Sequence, residues 1–93
     1  MYARQTKIIN RAGLHARPAT IFVSVSKGFQ SEIAIRNADK NGDAANAKSI
    51  IMLLATGLAC GTTVEISASG PDEREAVETL VELVESGFGE EVT

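Results

Sequence analysis

Two kinds of hydrophobic periodicity alternate along the chain, and together they predict four strands and three helices. Apolar residues occupy every second position at 29–37 and 62–68, which is the spacing of a strand with one buried face. At 16–27 and 73–86, small and apolar residues recur at i, i+3, i+4 and i+7, the spacing of one buried helix face, and a short apolar run at 50–55 lies between a serine and a glycine. The predicted elements are strands at 5–10, 29–37, 43–46 and 62–68, and helices at 16–27, 50–55 and 73–86.

Capping residues mark the ends of these helices. Gly28 and Gly57 are expected to end the first two helices, because glycine is the usual residue after a last helical turn. Ser49 is placed to cap the start of the second helix. Asp72, with Glu75 three residues later, matches a capping box at the start of the third.

The order β-α-β-β-α-β-α lacks the continuous strand–helix alternation of a parallel sheet. We therefore expect an α+β fold, in which a four-stranded antiparallel sheet carries three helices on one face. The opposite face should be wet, and the alternation places Glu32, Arg36 and Glu65 on it.

Composition and charge exclude several classes of protein. The 93 residues, 44% hydrophobic and 23% charged, are typical of one globular domain spanning 1–93. A net charge of −3 gives no basic footprint for nucleic acid or an anionic membrane. The first seven residues lack the apolar core of a signal peptide, and no apolar run approaches the ~18–20 residues of a membrane span. Cys60 is the only cysteine, so we expect no intrachain disulfide and a reducing, cytoplasmic compartment. We also expect a monomer.

The only histidine, His15, lies in the string GLHARPAT at residues 13–20. Pro18 is tolerated in a first helical turn, which places His15 at or just before the start of the first helix. The backbone N–H groups at that end, from Ala16 onwards, and the guanidinium of Arg17 would hold a phosphoryl group carried on the ring. We expect attachment at Nδ1, the ring nitrogen nearer the backbone.

Other roles for His15 stay open at this point. A histidine before a helix is, taken alone, more often a capping or surface residue. A metal site or a hydrolytic triad would need further ligands or a second histidine, so we expect no metal and no cofactor. Gly13 allows either a positive φ or a close approach of the backbone to a ligand.

Two separated motifs of the chain resemble those of a known family. The string at 13–20 resembles the active-site signature of the HPr family, the histidine-containing phosphocarriers of the bacterial phosphoenolpyruvate-dependent sugar phosphotransferase system. The string NAKSII at 46–51 resembles the family's regulatory serine segment, and 27–33 and 64–72 resemble its flanking segments. The resemblance covers nearly the whole chain. It implies an open-faced β-sandwich and a phosphoryl carrier that is not a stand-alone enzyme.

The same resemblance implies roles for single residues. Phospho-Enzyme I would phosphorylate His15, which would then pass the phosphoryl group to IIA domains of sugar permeases. Arg17 would stabilise the phosphate, and Ala16 and Pro18 would support it, Pro18 as a residue of the first helical turn. Ser49 would be the serine modified by an HPr kinase/phosphorylase, which would in turn control binding to a transcriptional regulator. A serine at a helix start also needs no reason beyond capping.

An apolar run follows Ser49, and it cannot be wholly buried in a one-sided helix. Some of it should form an exposed patch near the active-site end, where a partner docks. We assign Met52 and Leu53 to the core. The predicted docking residues are Thr20, Lys48, Ile50, Ile51 and Leu54, of which the last three form the exposed patch.

Two alternatives to a sugar-system carrier stay open. Arg36-Asn37 and the ending at 86–88 also resemble the nitrogen-related paralogue of the family, which feeds a regulatory IIA-type protein; the block at 48–50 favours the sugar system. The chain could also act mainly as a binding module switched at Ser49. It departs from several relatives at Ala12, where they carry a serine hydroxyl, and in a longer loop at 39–44.

Overall fold

The computed structural model describes residues 1–90 and confirms the predicted order of elements. A short 3-10 turn at Gly87–Gly89 follows the last helix. The elements are β1 (Tyr2–Lys7), α1 (Ala16–Lys27), β2 (Glu32–Asn37), β3 (Ala45–Asn46), α2 (Ile50–Ala55), β4 (Thr63–Ser69) and α3 (Glu73–Glu85).

The sheet is antiparallel throughout, with the strand order β1-β4-β2-β3. One face of β4 is buried at alternate positions, and the intervening side chains are only half-buried. On the open face, Arg36 and Glu65 are register partners, and Arg36 Nε donates to Glu65 Oε1 at 3.0 Å. The predicted fold class, a sheet covered by helices on one face and open on the other, is confirmed.

The core lies between the sheet and the helices. Each large aliphatic side chain that it buries contributes roughly 1.5–3 kcal/mol of stabilisation. The largest fully buried side chains include Phe22, Ile8, Leu14, Ile35, Leu53, Leu58, Ile66 and Leu80. Within residues 1–90, none of the helices has the length and the hydrophobicity needed to cross a bilayer.

The first strand is displaced from its predicted position at 5–10. Pairing of β1 with β4 runs from Tyr2 to Lys7, because α3 holds the start of the strand. The hydroxyl of Tyr2 donates to Glu78 of α3, and Arg4 Nη1 donates to Glu78 Oε1 at 2.6 Å. The apolar Ile8, which suggested the middle of a strand, instead enters the core beyond the end of the sheet.

The predicted capping box at Asp72 is wrong. Its carboxylate accepts from the backbone N–H groups of Gln30 and Ser31, at 2.8 and 2.9 Å, and from the Ser31 hydroxyl. The carboxylate therefore anchors the turn at 29–31, which is why β2 begins at Glu32 and not at Phe29. The side chain that reaches back at the start of α3 is that of Glu73, which accepts from Gly70 N at 3.1 Å.

Glycine ends only one of the two helices in the predicted way. Gly57 follows α2 with a φ of +63°, the left-handed conformation that a terminating glycine supplies. Gly28 caps α1 with a φ of −75°, so the end of this helix does not use a left-handed residue. The third strand, β3, is reduced to two residues, which pair with Ala34 and Ile35.

Candidate functional site

A tight turn at 10–13 connects β1 to α1. Gly13 N donates to Asn10 O at 3.0 Å, and Asn10 Nδ2 donates to Gly13 O at 2.9 Å. Gly13 has a φ of +67°, and a Cβ there would stand 2.7 Å from Leu58 O. The glycine is therefore required by its contact with the backbone at 58–59. Of the two roles that the sequence allowed, positive φ is confirmed, and the close approach is to the protein's own chain.

His15 is the N-cap residue of α1, as predicted. Its backbone is extended, with φ −124° and ψ 158°, and its side chain makes no capping hydrogen bond. The ring is exposed at the helix start. Of the two alternatives that the sequence left open, capping by the His15 side chain is therefore wrong, whereas an exposed surface position is what the structure shows.

The residue after His15 has an unusual conformation. Ala16 has a φ of +49°, in the left-handed region that costs a residue with a Cβ roughly 1–2 kcal/mol. Thr20 Oγ1 donates to Ala16 O at 3.2 Å. Alanine gives no sequence signal for a positive φ, so this feature could not be predicted. Strained backbone of this kind is often found at functional sites.

The first turn of α1 is suited to an anion. Ala16 and Arg17 are exposed, whereas Pro18 is buried and carries no N–H group. The first backbone N–H groups of a helix have no partner within it, and they lie at the positive end of the helix dipole. No acidic residue lies in this turn to offset that charge. The site therefore combines an exposed imidazole, free backbone donors and a guanidinium in consecutive residues.

The start of α2 is organised differently. Ser49 is its N-cap residue, and the hydroxyl oxygen accepts from Met52 N at 3.2 Å. The predicted capping role of Ser49 is therefore confirmed. Phosphorylation of Ser49 stays a prediction.

Helix α2 carries the exposed apolar patch, which we define as Ile50, Ile51, Met52 and Leu54. Their exposed fractions are 37%, 79%, 45% and 41%, whereas Leu53 is fully buried. The assignment of Met52 to the core is wrong, because a six-residue helix presents only one side chain, Leu53, to the core. The predicted exposure of the other three patch residues is confirmed.

The remaining predicted docking residues have different surroundings. Thr20 and Ile50 line a shallow groove between α1 and α2, together with Val23, Ser24 and Lys27. The ammonium of Lys48 donates to Phe29 O at 2.6 Å, so it anchors the segment before β2. Thr20 thus lies beside the apolar patch, whereas the ammonium of Lys48 is hydrogen-bonded within the fold.

Comparison with known proteins agrees with this geometry. A family model described as "PTS HPr component phosphorylation site" matches residues 2–86. The fold and this match define a phosphocarrier of the phosphotransferase system. More particularly, the chain belongs to the HPr family, whose members are carriers and not catalytic enzymes.

Relatives from both branches of the family are similar to this chain. The phosphocarrier protein HPr of Vibrio cholerae is 46% identical over 85 residues, covering 91% of this chain and 96% of that protein. The phosphocarrier protein NPr of Escherichia coli is 40% identical over 92 residues, covering 98% and 100%. A crystal structure of HPr from Thermoanaerobacter tengcongensis superimposes with a TM-score of 0.91 at 43% identity, covering 99% and 100%.

Proposed function

We propose that this chain accepts a phosphoryl group from phospho-Enzyme I on His15 and passes it to IIA domains of sugar permeases. The observation that carries the proposal is the start of α1, where the exposed His15 ring caps nothing and stands beside Arg17. The Nδ1 lone pair would form the bond to phosphorus while the bond from phosphorus to the Enzyme I donor breaks, its electron pair staying on the donor.

The surroundings of His15 support a carrier better than a stable modification. The N–H groups of Ala16 and Arg17 and the Arg17 guanidinium can offset the charge of a dianionic phosphoryl group. The group stays open to solvent on this exposed turn, so a second partner can reach it. We propose that the protein acts in the cytoplasm and that it is a monomer with a single domain of residues 1–93.

The exposed apolar patch of α2 is the proposed docking surface for these partners. Four large apolar side chains of one short helix face solvent, which is unfavourable unless a partner covers them. Thr20 extends this surface onto α1, across the groove that it lines with Ile50.

Labelling tests the proposed reaction. Phosphoenolpyruvate and Enzyme I from the same organism should add one acid-labile phosphoryl group to the wild-type protein, seen by intact-mass spectrometry at neutral pH. His15→Ala should show no added mass, and omission of Enzyme I is the control. An unlabelled wild-type protein, or a labelled His15→Ala protein, would contradict the proposal.

The nitrogen branch is the second candidate, because the relative NPr aligns along almost the whole of this chain. The phosphorylated protein should be offered two acceptors, a sugar-permease IIA domain and a regulatory IIA-type protein of the nitrogen branch. Faster transfer to the sugar acceptor supports the first proposal, and faster transfer to the other supports the second.

Phosphorylation of Ser49 by an HPr kinase/phosphorylase is the proposed regulation. A phosphate at a helix N-cap is compatible with the helix, so its effect should fall on the neighbouring docking surface and not on the fold. The proposed consequences are weaker binding of Enzyme I and binding of a transcriptional regulator. An acid-stable label that Ser49→Ala abolishes is expected with the kinase; a label that survives this substitution would exclude Ser49.

A further inference from the structure

We propose that Asn10 is a positioning residue for the phosphoryl transfer, because its buried amide fixes the backbone from which His15 projects. This inference rests on the proposed function of His15. It concerns the turn before the histidine, which the anion site at the start of α1 does not include.

Asn10 holds Gly13 with both its side chain and its backbone. The residue is fully buried, and its Nδ2 donates to Gly13 O at 2.9 Å. Gly13 N returns a hydrogen bond to Asn10 O at 3.0 Å. Asn10 therefore holds both the N–H and the C=O group of Gly13, and Gly13 lies two positions before His15.

The other side of the turn is closed by the segment at 58–59. Leu14 is fully buried, and its N–H donates to Leu58 O at 2.9 Å. Gly13 packs so closely against this segment that a Cβ would stand 2.7 Å from Leu58 O. The peptide before His15 is therefore confined between Asn10 and Leu58.

The orientation of the Asn10 amide follows from its surroundings. Exchanging its oxygen and nitrogen would set Oδ1 against Gly13 O and Glu90 Oε1, which are both acceptors. In the observed orientation, Oδ1 is buried without a partner among residues 1–90. The unpaired, buried Oδ1 of Asn10 lowers the stability of the fold, so stability alone does not account for an asparagine here. An apolar residue would avoid the cost of the unpaired oxygen but could not donate a hydrogen bond to Gly13 O.

The segment after α3 contributes a second acceptor to the same amide. Glu90 Oε1 lies 3.4 Å from Asn10 Nδ2, a longer contact than that to Gly13. Phe88 is buried and secures this segment against the core. Removal of the Glu90 carboxylate should therefore weaken the positioning less than removal of the Asn10 amide.

Steady-state kinetics with Enzyme I separate positioning from docking. Asn10→Ala should lower kcat for phosphorylation roughly tenfold, since misplaced reacting atoms slow transfer. Its KM should stay within about twofold, because the α2 patch is unchanged. Ser31→Ala is the matched control: it removes a hydrogen bond from a buried hydroxyl of the 29–31 turn and should leave kcat unchanged. All three proteins are compared at a temperature where circular dichroism shows them folded.

Equal kcat values for Asn10→Ala and Ser31→Ala, or a change in KM alone, would overturn the positioning role while leaving the carrier function intact. An unlabelled wild-type protein would instead overturn the carrier function, and this inference with it. If Asn10→Ala does not fold, NMR of the wild-type protein decides. The Asn10 side-chain amide protons should exchange slowly and shift when His15 is phosphorylated; fast exchange or unchanged shifts would contradict the inference.

Discussion

The starts of α1 and α2 share an extended N-cap backbone but differ in what the N-cap side chain does. Each helix has a polar N-cap residue in extended conformation, His15 in one and Ser49 in the other. The Ser49 hydroxyl oxygen accepts from Met52 N, so one of the otherwise unpaired N–H groups at the start of α2 has a partner. His15 makes no such bond and leaves its ring exposed.

The difference bears on the carrier function proposed for His15. A capping side chain adds stability, but it occupies a backbone N–H group that could otherwise donate to a ligand. At α1 the side chain is free to react, and the turn includes a residue in a strained conformation, Ala16. The side chain of Ser49 therefore serves its own helix, whereas that of His15 makes no hydrogen bond to its helix.

Removal of the guanidinium at the start of α1 should have the largest effect. Arg17→Ala should lower the rate of phosphorylation by Enzyme I about 10- to 100-fold, the equivalent of one charge-assisted hydrogen bond of roughly 1.5–3 kcal/mol. Rapid-quench labelling measures this rate. Arg17→Lys keeps the positive charge, so its rate of phosphorylation should fall less. A rate equal to wild type in Arg17→Ala would contradict a role for the guanidinium in the reaction.

Removal of the cap at α2 should affect stability and leave labelling unchanged. Ser49→Ala should lower the free energy of unfolding by about 1 kcal/mol, because Met52 N loses its acceptor. Urea denaturation measures this loss. Ser49→Asp, which keeps an acceptor, should have a free energy of unfolding near that of wild type, and label on His15 should form fully in Ser49→Ala. A Ser49→Ala protein that cannot be labelled would mean that the reaction at His15 needs the Ser49 cap.

Glycine substitutions should have opposite signs in the two helices. Ala16→Gly should raise the free energy of unfolding by about 0.5–1 kcal/mol, since glycine adopts a positive φ without steric cost. Ala55→Gly, at the exposed end of α2, should lower it by about 0.5–1 kcal/mol. Urea denaturation of both proteins checks the pair, and destabilisation by Ala16→Gly would show that Ala16 is not strained.

A pH-dependent effect on stability is expected at the Asp72 carboxylate, which holds the turn at 29–31. Hydrogen bonds from the Ser31 hydroxyl and from the N–H groups of Gln30 and Ser31 lower the pKa of the Asp72 carboxyl from its ordinary value of 3.8. A lowered pKa means that this contribution is present above pH 3.8 and is lost as the pH falls through the lowered value. Asp72→Asn should therefore be less stable than wild type at pH 7, and the difference should narrow below pH 3.8.

Denaturation curves of Asp72→Asn at several pH values measure that narrowing, and a constant difference would exclude the carboxylate as its source. His15 labelling at neutral pH should be unaffected in Asp72→Asn. This variant therefore shows what loss of stability alone does to the carrier, against which the two helix starts can be compared.

Features that depend on neighbouring residues in sequence could be predicted, and those set by distant contacts could not. The bounds of α1 and α2 and the capping by Ser49 follow from local patterns. The displacement of β1 depends on Glu78 of α3, and the failure of the Asp72 capping box depends on the turn at 29–31. These partners are distant in the sequence, so no local pattern reveals them.

The candidate site divides in the same way. His15 and Arg17 could be named as candidates because their residue types, their spacing from Pro18 and the resemblance of the string at 13–20 to the HPr signature suggest the chemistry. The strain at Ala16 and the hold of Asn10 on Gly13 could not, because ordinary residue types adopt these roles only through the folded backbone.

The most direct test of the difference between the two helix starts is NMR of the protein during phosphorylation by Enzyme I and phosphoenolpyruvate. The backbone N–H resonances of Ala16 and Arg17 should shift strongly as the phosphoryl group forms on His15 Nδ1. Those of Ser49 and Met52 should stay near their original positions. Unchanged resonances at Ala16 and Arg17 in a fully phosphorylated protein would contradict the account.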